Sequence, residues 1–314
     1  MVISLKRHFG YVFELVKFAL CLQIALCSAF GFLIASSNKT DLFSFQLFFL
    51  SFFVFTLACG CAVLNNICDK EYDACFMRTC NRVLVLGKFN IKVAFILSFF
   101  FIITALLGLF LYFDEIFPFL YAVLSLVLYN FIYTPLKKKS LLAIVPGALS
   151  GMLPILIGWS AVKGSLIDLQ IIILMLVLCL WQIPHFFLVL LKSDHLFSNN
   201  FVSENSLEFN SGDRPYSQIY PDFSKVFSKT DLKFLTLIWS GLYSLSMLFY
   251  LIVGNYTSFI VSLLIAFNSI IIISWIGLRL FTSKTNYRQA FMAINISLLI
   301  FMGSGIFDFY FKSF

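Results

Sequence analysis

Asn65, Asp69 and Asp73 recur at every fourth residue of an otherwise apolar chain, and Arg78 and Arg82 repeat the same step a little further on. On an α-helix a step of four advances about 6 Å and turns only about 40°, so side chains at this spacing stack as a ladder on one face. Two carboxylates and an amide in a ladder suit Mg²⁺, a hard cation that takes oxygen ligands, keeps several waters and commonly borrows the rest of its shell from phosphate. Asn65, Asp69 and Asp73 are therefore the expected metal group. Arg78 and Arg82 suit the phosphate oxygens that the metal leaves open, because a guanidinium presents paired donors to an anion. The alternative is an ordinary charged loop whose acids and bases pair at i,i+4.

These residues must be positioned by membrane helices. Of 314 residues, 61% are hydrophobic and 12% are charged, against about 25% charged in a soluble domain. A spanning helix needs about 20 apolar residues. The apolar runs give nine spans, at about 12–35, 42–66, 91–112, 117–134, 141–162, 168–191, 232–253, 257–281 and 289–311. The expected fold is an all-α polytopic membrane protein: a bundle of nine transmembrane helices around a central apolar pocket with a cytoplasmic cap. It is expected to form one membrane-embedded domain over residues 1–314, with cytoplasmic loops at 67–90 and 192–230. In the first span Glu14, Lys17 and Gln23 are expected as one polar stripe facing the bundle, with snorkelling as the alternative for Glu14 and Lys17. Pro135 ends the fourth span. In the fifth, Gly147 and Gly151 form a GxxxG pair that allows close helix contact.

Nineteen of the 22 Lys and Arg residues fall on the side of the first, third, fifth, seventh and ninth helix starts; only Lys39, Lys163 and Lys312 fall opposite. That bias predicts a cytoplasmic N-terminus and a C-terminus on the other side. It also accounts for the net charge of +7 without a nucleic-acid partner, and no basic run is interleaved with aromatics on a soluble face. Lys6 and Arg7 precede an apolar run as in a signal peptide, but the run is long and is read as an uncleaved first span. Eight cysteines include no CxxC pair, which argues for small buried thiols rather than a zinc or redox site.

The wording Asn65-Asn66…Asp69…Asp73…Arg78-Thr79…Asn81-Arg82-Val83-Leu84-Val85 resembles the first aspartate-rich motif of the intramembrane UbiA-type prenyltransferase superfamily. Within it, the stretch is most similar to the haem O synthase (protohaem IX farnesyltransferase) family. Tyr133-Thr134-Pro135-Leu136-Lys137-Lys138-Lys139-Ser140 resembles that family's YTxxLKRxS segment. Pro146-Gly147-Ala148 with Pro154 to Trp159 resembles its fifth helix, and Trp181-Gln182-Ile183-Pro184-His185-Phe186 resembles its WQxPHF signature. The resemblance runs from about residue 58 to 192. It implies transfer of farnesyl from farnesyl diphosphate to a vinyl group of haem b, giving haem O, with Mg²⁺ as cofactor and haem b as substrate. Asp69, Asp73, Arg78 and Arg82 would act on the diphosphate. Asn65, Tyr133, Lys137, Lys138, Trp181, Gln182, His185, Lys192 and Asp194 would bind substrate, with His185 meeting the haem iron or a propionate. The implied setting is a cell inner membrane and its lipid bilayer, in reach of a haem A synthase or a terminal oxidase assembly.

After the sixth span the chain departs from that pattern. The family's acidic-Tyr pair is replaced by Leu196-Phe197, Asp194 is displaced, and no Pro-Met-Leu-Pro follows. Three other readings stand beside the first: prenylation of an aromatic quinone precursor by the same fold, a divergent inactive haem-binding member, and a transporter. Against the last, no internal repeat is visible and the charges cluster at one membrane face rather than at its midplane.

Overall fold

The computed structural model describes residues 10–36, 43–75, 79–163, 168–192, 226–254, 256, 258–282 and 285–311. Arg78, Asp194 and most of the expected 192–230 loop lie outside them. All regular structure among the described residues is helical. Residues 10–16 are helical, Lys17 breaks the helix with a left-handed φ of 53°, and α1 then runs Phe18–Ala35. α2 spans Phe45–Ala74 and α3 Ile91–Tyr112. The fourth span begins as α4, Phe117–Leu126, widens into a π-helix over Val127–Tyr133 and closes at Thr134–Leu136. α5 (Ile144–Lys163) and α6 (Leu169–Lys192) precede α7 (Lys229–Val253), α8 (Phe259–Phe281) and α9 (Tyr287–Phe311). Nine helical stretches among the described residues are long and apolar enough to cross a membrane.

Two boundaries differ from expectation, and both bear on the site. The first span is not one helix, because Lys17 interrupts it. The polar segment expected from residue 67 starts only at Cys75, because α2 stays helical through Ala74. Along this extension Asp69 and Asp73 are buried, while Cys68 and Glu71 face out. Cys68 and Cys75 are accordingly exposed; Cys21, Cys27, Cys59 and Cys61 are the buried thiols.

The described residues group into two compact units. One draws on the chain up to Pro135 and on Leu149–Met175, the other on Leu136–Ala148 and on the chain from Leu176 onward. In the first, α3 buries Ala94, Ser98, Ile102, Ala105 and Leu109, a stripe at helical spacing, against α2. Phe95, Phe99 and Phe100 of α3 are exposed, as lipid-facing residues are. Ser98 Oγ donates to the Gly60 carbonyl at 2.8 Å. α1 and α5 approach at Gly31 and Gly158. A Cβ on Gly158 would stand 1.8 Å from the Ser28 carbonyl oxygen, and one on Gly31 would stand 2.1 Å from that of Ile155. In the second unit polar bonds link neighbouring helices: Ser244 Oγ donates to Ser269 O at 2.6 Å, and Asn268 Nδ2 donates to Ser297 O at 3.0 Å. The Ser258 N–H at the start of α8 donates to Asp308 of α9 at 2.8 Å.

Candidate diphosphate and acceptor sites

α2 carries the ladder. Asn65, Asp69 and Asp73 are 2%, 3% and 8% exposed on one face of a continuous helix. Groups this buried need partners, and Asn65, Asn66 and Asp73 meet theirs from three directions. The left-handed turn at Lys17 brings its Nζ to Asn65 Oδ1 at 2.9 Å. Asn65 Nδ2 donates to Thr134 Oγ1 at 3.0 Å, and Thr134 donates on to the Tyr129 carbonyl at 2.8 Å. The turn after α2 folds back on the helix end: Thr79 Oγ1 donates to Asp73 O at 2.9 Å, and Arg82 forms an ion pair with the Asp73 carboxylate. Arg82 also reaches Asn66 Oδ1 at 3.4 Å, and Asn66 Nδ2 donates to Leu15 O at 2.8 Å. Glu14 accepts from the Val83 N–H at 3.0 Å. Gly87, with φ of 66°, closes this turn in a conformation that only glycine adopts at little cost.

A cavity of about 230 Å³ opens among Glu14, Lys17, Asn66, Asp73, Arg82 and Val83. Glu14 and Lys17 thus bond inward, which fits the expected stripe facing the bundle better than snorkelling. They tie the first helix to the end of α2 and to the turn beyond it, whereas Gln23 lies half-buried further along α1. The donor set of the ladder is all oxygen, with two buried carboxylates one helical turn apart. That fits Mg²⁺, which completes its shell with water and phosphate and does not need a full protein cage. Among the described residues no three His, Cys, Asp or Glu side chains converge on a point.

The fourth span explains how its partners reach α2. Pro135 has no N–H for helical bonding, and the preceding turns open to π geometry, with the Thr134 N–H bonding to Tyr129 O. Asn130 Nδ2 donates to the Cys61 carbonyl at 3.0 Å. The contacts Cys61–Asn130 and Asn65–Thr134 are two rungs one turn apart, so α2 and the fourth span run parallel, as two even-numbered spans must. Tyr133 stacks on Tyr129 with ring centroids 5.6 Å apart.

In the second unit α6 presents Trp181 and His185 to α9. Trp181 Nε1 donates to Ile294 O at 3.1 Å. The His185 ring lies 4.9 Å from that of Trp181 and 4.7 Å from that of Phe291. His185 Nδ1 is buried and without a hydrogen-bond partner among the described residues. The Lys192 ammonium lies over the Phe291 ring at 5.5 Å. Gln182 is half-buried, and Lys137 and Lys138 are half-buried in the turn after Leu136.

Sequence reasoning quoted Asn66 and Thr134 within motifs but gave them no role, did not single out Asn130, which meets α2 at Cys61 rather than at the ladder, and gave Lys17 only a place on a stripe. The one available signal was a lysine and an acid three residues apart inside an apolar run.

Comparison with known proteins identifies the family and the fold. Over 185 residues the chain is 34% identical to "Protoheme IX farnesyltransferase" of Cytophaga hutchinsonii, covering 59% of this chain and 63% of that one. The chain thus spans somewhat under two thirds of the length of that curated relative. Its fold is similar to a solved digeranylgeranylglyceryl phosphate synthase, with TM-score 0.69 and 18% identity over 96% of this chain and 98% of that one. It is also similar to a UbiA homolog from Archaeoglobus fulgidus bound to GPP and Mg²⁺, with TM-score 0.66 and 16% identity over 95% and 99% of the two chains. The UbiA prenyltransferase family model matches residues 24–299, a stretch that contains the ladder, the π-helix and His185, and the chain belongs to that family.

Proposed function

We propose that the protein transfers a farnesyl group from farnesyl diphosphate to a vinyl group of haem b, giving haem O. The observation that carries this reading is the buried Asn65–Asp69–Asp73 ladder, capped by Arg82, in a chain whose curated relative bears the name of that activity. Mg²⁺ held by Asp69 and Asp73 would neutralise the diphosphate and ease its departure. Arg82 is already positioned on Asp73, and its remaining donors are free to meet phosphate oxygens. Arg78, Lys137 and Lys138 are assigned to the leaving charge, with Asp194 assigned to substrate binding in the divergent segment. Asn65 and Tyr133 bind beside the ladder. Apolar walls keep stray water from the allylic end. The terminal vinyl carbon then attacks the first farnesyl carbon.

For the acceptor, the buried Nδ1 of His185, which meets no hydrogen-bond partner among the described residues, supports a role in holding haem. Trp181 and Phe291 clamp the ring, and Gln182 and Lys192 are the polar residues of the same helix assigned to haem. The setting proposed is a cell inner membrane with the N-terminus cytoplasmic, so that soluble diphosphate reaches the motif from the cytoplasm.

The test is to incubate the protein with farnesyl diphosphate, Mg²⁺ and either haem b or para-hydroxybenzoate and to weigh the products. Haem O as the main product is expected. A prenylated ring would transfer the reading to quinone precursors, and haem b binding without any adduct would make this an inactive haem-binding member.

A further inference from the structure

Arg82 Nη1 is shared between two acceptors on α2: it pairs with Asp73 Oδ2 and reaches Asn66 Oδ1 at 3.4 Å. Both hydrogens of that nitrogen are used, which leaves the three donors on Nε and Nη2 outside these bonds. The pair is not a loose surface contact. Asn66 is anchored through Nδ2 to Leu15 O at 2.8 Å, and the N–H of Val83, next to Arg82, donates to Glu14 at 3.0 Å. Thr79 ties the same turn to Asp73 O at 2.9 Å. The Asp73 side chain is 11% exposed and that of Arg82 29%. The carboxylate is enclosed, while the guanidinium still lines the cavity.

Asp73 therefore has a resident cation where the ladder is assigned to hold a metal. A metal on the second oxygen of Asp73 stands within about 5 Å of the guanidinium. Like charges that close, in a partly buried site, repel. A diphosphate reverses the sign of that interaction. Its oxygens ligate the metal and accept from the remaining guanidinium donors at once.

We infer that Arg82 makes metal binding at the ladder conditional on diphosphate, an inference that rests on the metal and diphosphate reading proposed above. The guanidinium weakens the binding of metal alone and strengthens that of metal with diphosphate. By linkage, the metal then raises the affinity for diphosphate by the same factor. Metal leaves when diphosphate leaves, and the allylic bond is activated only with both in place. Arg82 thus does more than clamp phosphate: it sets the order in which the site fills.

The experiment measures Mn²⁺ binding to the full chain in detergent, from the electron paramagnetic resonance signal of the free ion. Titrations are run with and without farnesyl thiolodiphosphate, an analogue slow to ionise, and metal bound by the analogue itself is subtracted. The wild type is expected to bind Mn²⁺ at least about tenfold more tightly with the analogue than without it, a difference of about 1.4 kcal/mol. Arg82→Gln removes the charge and keeps an amide donor. It is expected to bind Mn²⁺ alone at least about tenfold more tightly than the wild type, and to lose most of the gain from the analogue. Arg82→Lys keeps a cation and is expected to keep the coupling. Thermal midpoints show that the variants compared are folded, and the wild-type comparison stands without them. Equal Mn²⁺ affinity of the wild type with and without the analogue overturns the inference. So does Mn²⁺ affinity of folded Arg82→Gln alone at or below the wild-type value, which would make the pair a structural tie and leave the metal reading intact. A wild type that binds Mn²⁺ neither alone nor with the analogue overturns the metal reading itself.

Discussion

Lys17 Nζ donates to Asn65 Oδ1 at 2.9 Å, and it does so from the one non-glycine residue with positive φ among those described. The strained turn and the hydrogen bond belong together. The left-handed turn costs about 1–2 kcal/mol, and the ammonium meets the ladder from it. Asn65 is then held at both ends of its amide, by Lys17 and by Thr134. Its oxygen already faces a cation, so the carboxylates below it are the stronger candidates for a metal.

Replacing Lys17 tests this. Lys17→Met leaves the buried Asn65 oxygen without its charged donor, an interaction worth about 1.5–3 kcal/mol. The expected result is a fall in kcat/KM of about ten- to a hundredfold with an unchanged Mg²⁺ titration midpoint. Lys17→Arg should restore most of the loss. A shifted midpoint in Lys17→Met would mean that Asn65 ligates the metal directly.

The two carboxylates are expected to be indispensable. Asp69→Asn and Asp73→Asn should each lower prenyl transfer by about a hundredfold or more, the usual scale for one group that stabilises developing charge. Arg82→Ala should be severe as well. Because Arg82 and Asp73 are paired, the double variant should lose less than the product of the two single losses. Multiplicative losses in steady-state assays would show that the pair does not act as a unit.

Metal removal follows from the all-oxygen donor set. Excess chelator should stop diphosphate release, and Mg²⁺ or Mn²⁺ should restore it, since both suit oxygen ligands. Full activity in chelator would remove the metal from the reading.

Stability has its own test at the α1–α5 crossing. Gly158→Ala puts a Cβ 1.8 Å from a backbone oxygen that cannot turn aside, and should lower stability by about 3 kcal/mol or more. Gly241→Ala and Gly303→Ala are the controls. Nothing lies within 4 Å of a Cβ at either position, and alanine is preferred to glycine in a helix by about 0.8–1 kcal/mol. Thermal unfolding in detergent should show a lower midpoint for the first and equal or higher midpoints for the others.

Much of the fold was legible because its signals are local. A run of apolar residues long enough to cross a bilayer is visible without any partner, and the Ile91–Tyr112 span coincides with its expected limits. The Asn65–Asp69–Asp73 spacing is likewise a property of one helix, and α2 displays it as expected. What was not legible lies where chain segments far apart in sequence meet. The end of α2 moved from residue 66 to Ala74 because Arg82 and Thr79 return to Asp73. The close glycine contact of α1 with α5 pairs Gly31 and Gly158 with backbone of the other helix, which no motif within one span could show.

Sequence alone determined that this is a membrane helix protein with an acidic ladder at helical spacing and a strong charge bias between alternate loops. Composition and short-range periodicity are sufficient for that, since burial in lipid and helical repeat act residue by residue. Only the tertiary structure decided which partners the ladder takes. Lys17 and Thr134 lie 48 and 69 positions from Asn65, Asn130 lies 69 from Cys61, and Trp181 lies 113 from Ile294. Each of those bonds exists because packed helices, a left-handed turn and a widened π-helix bring donor and acceptor together. No local spacing encodes that meeting.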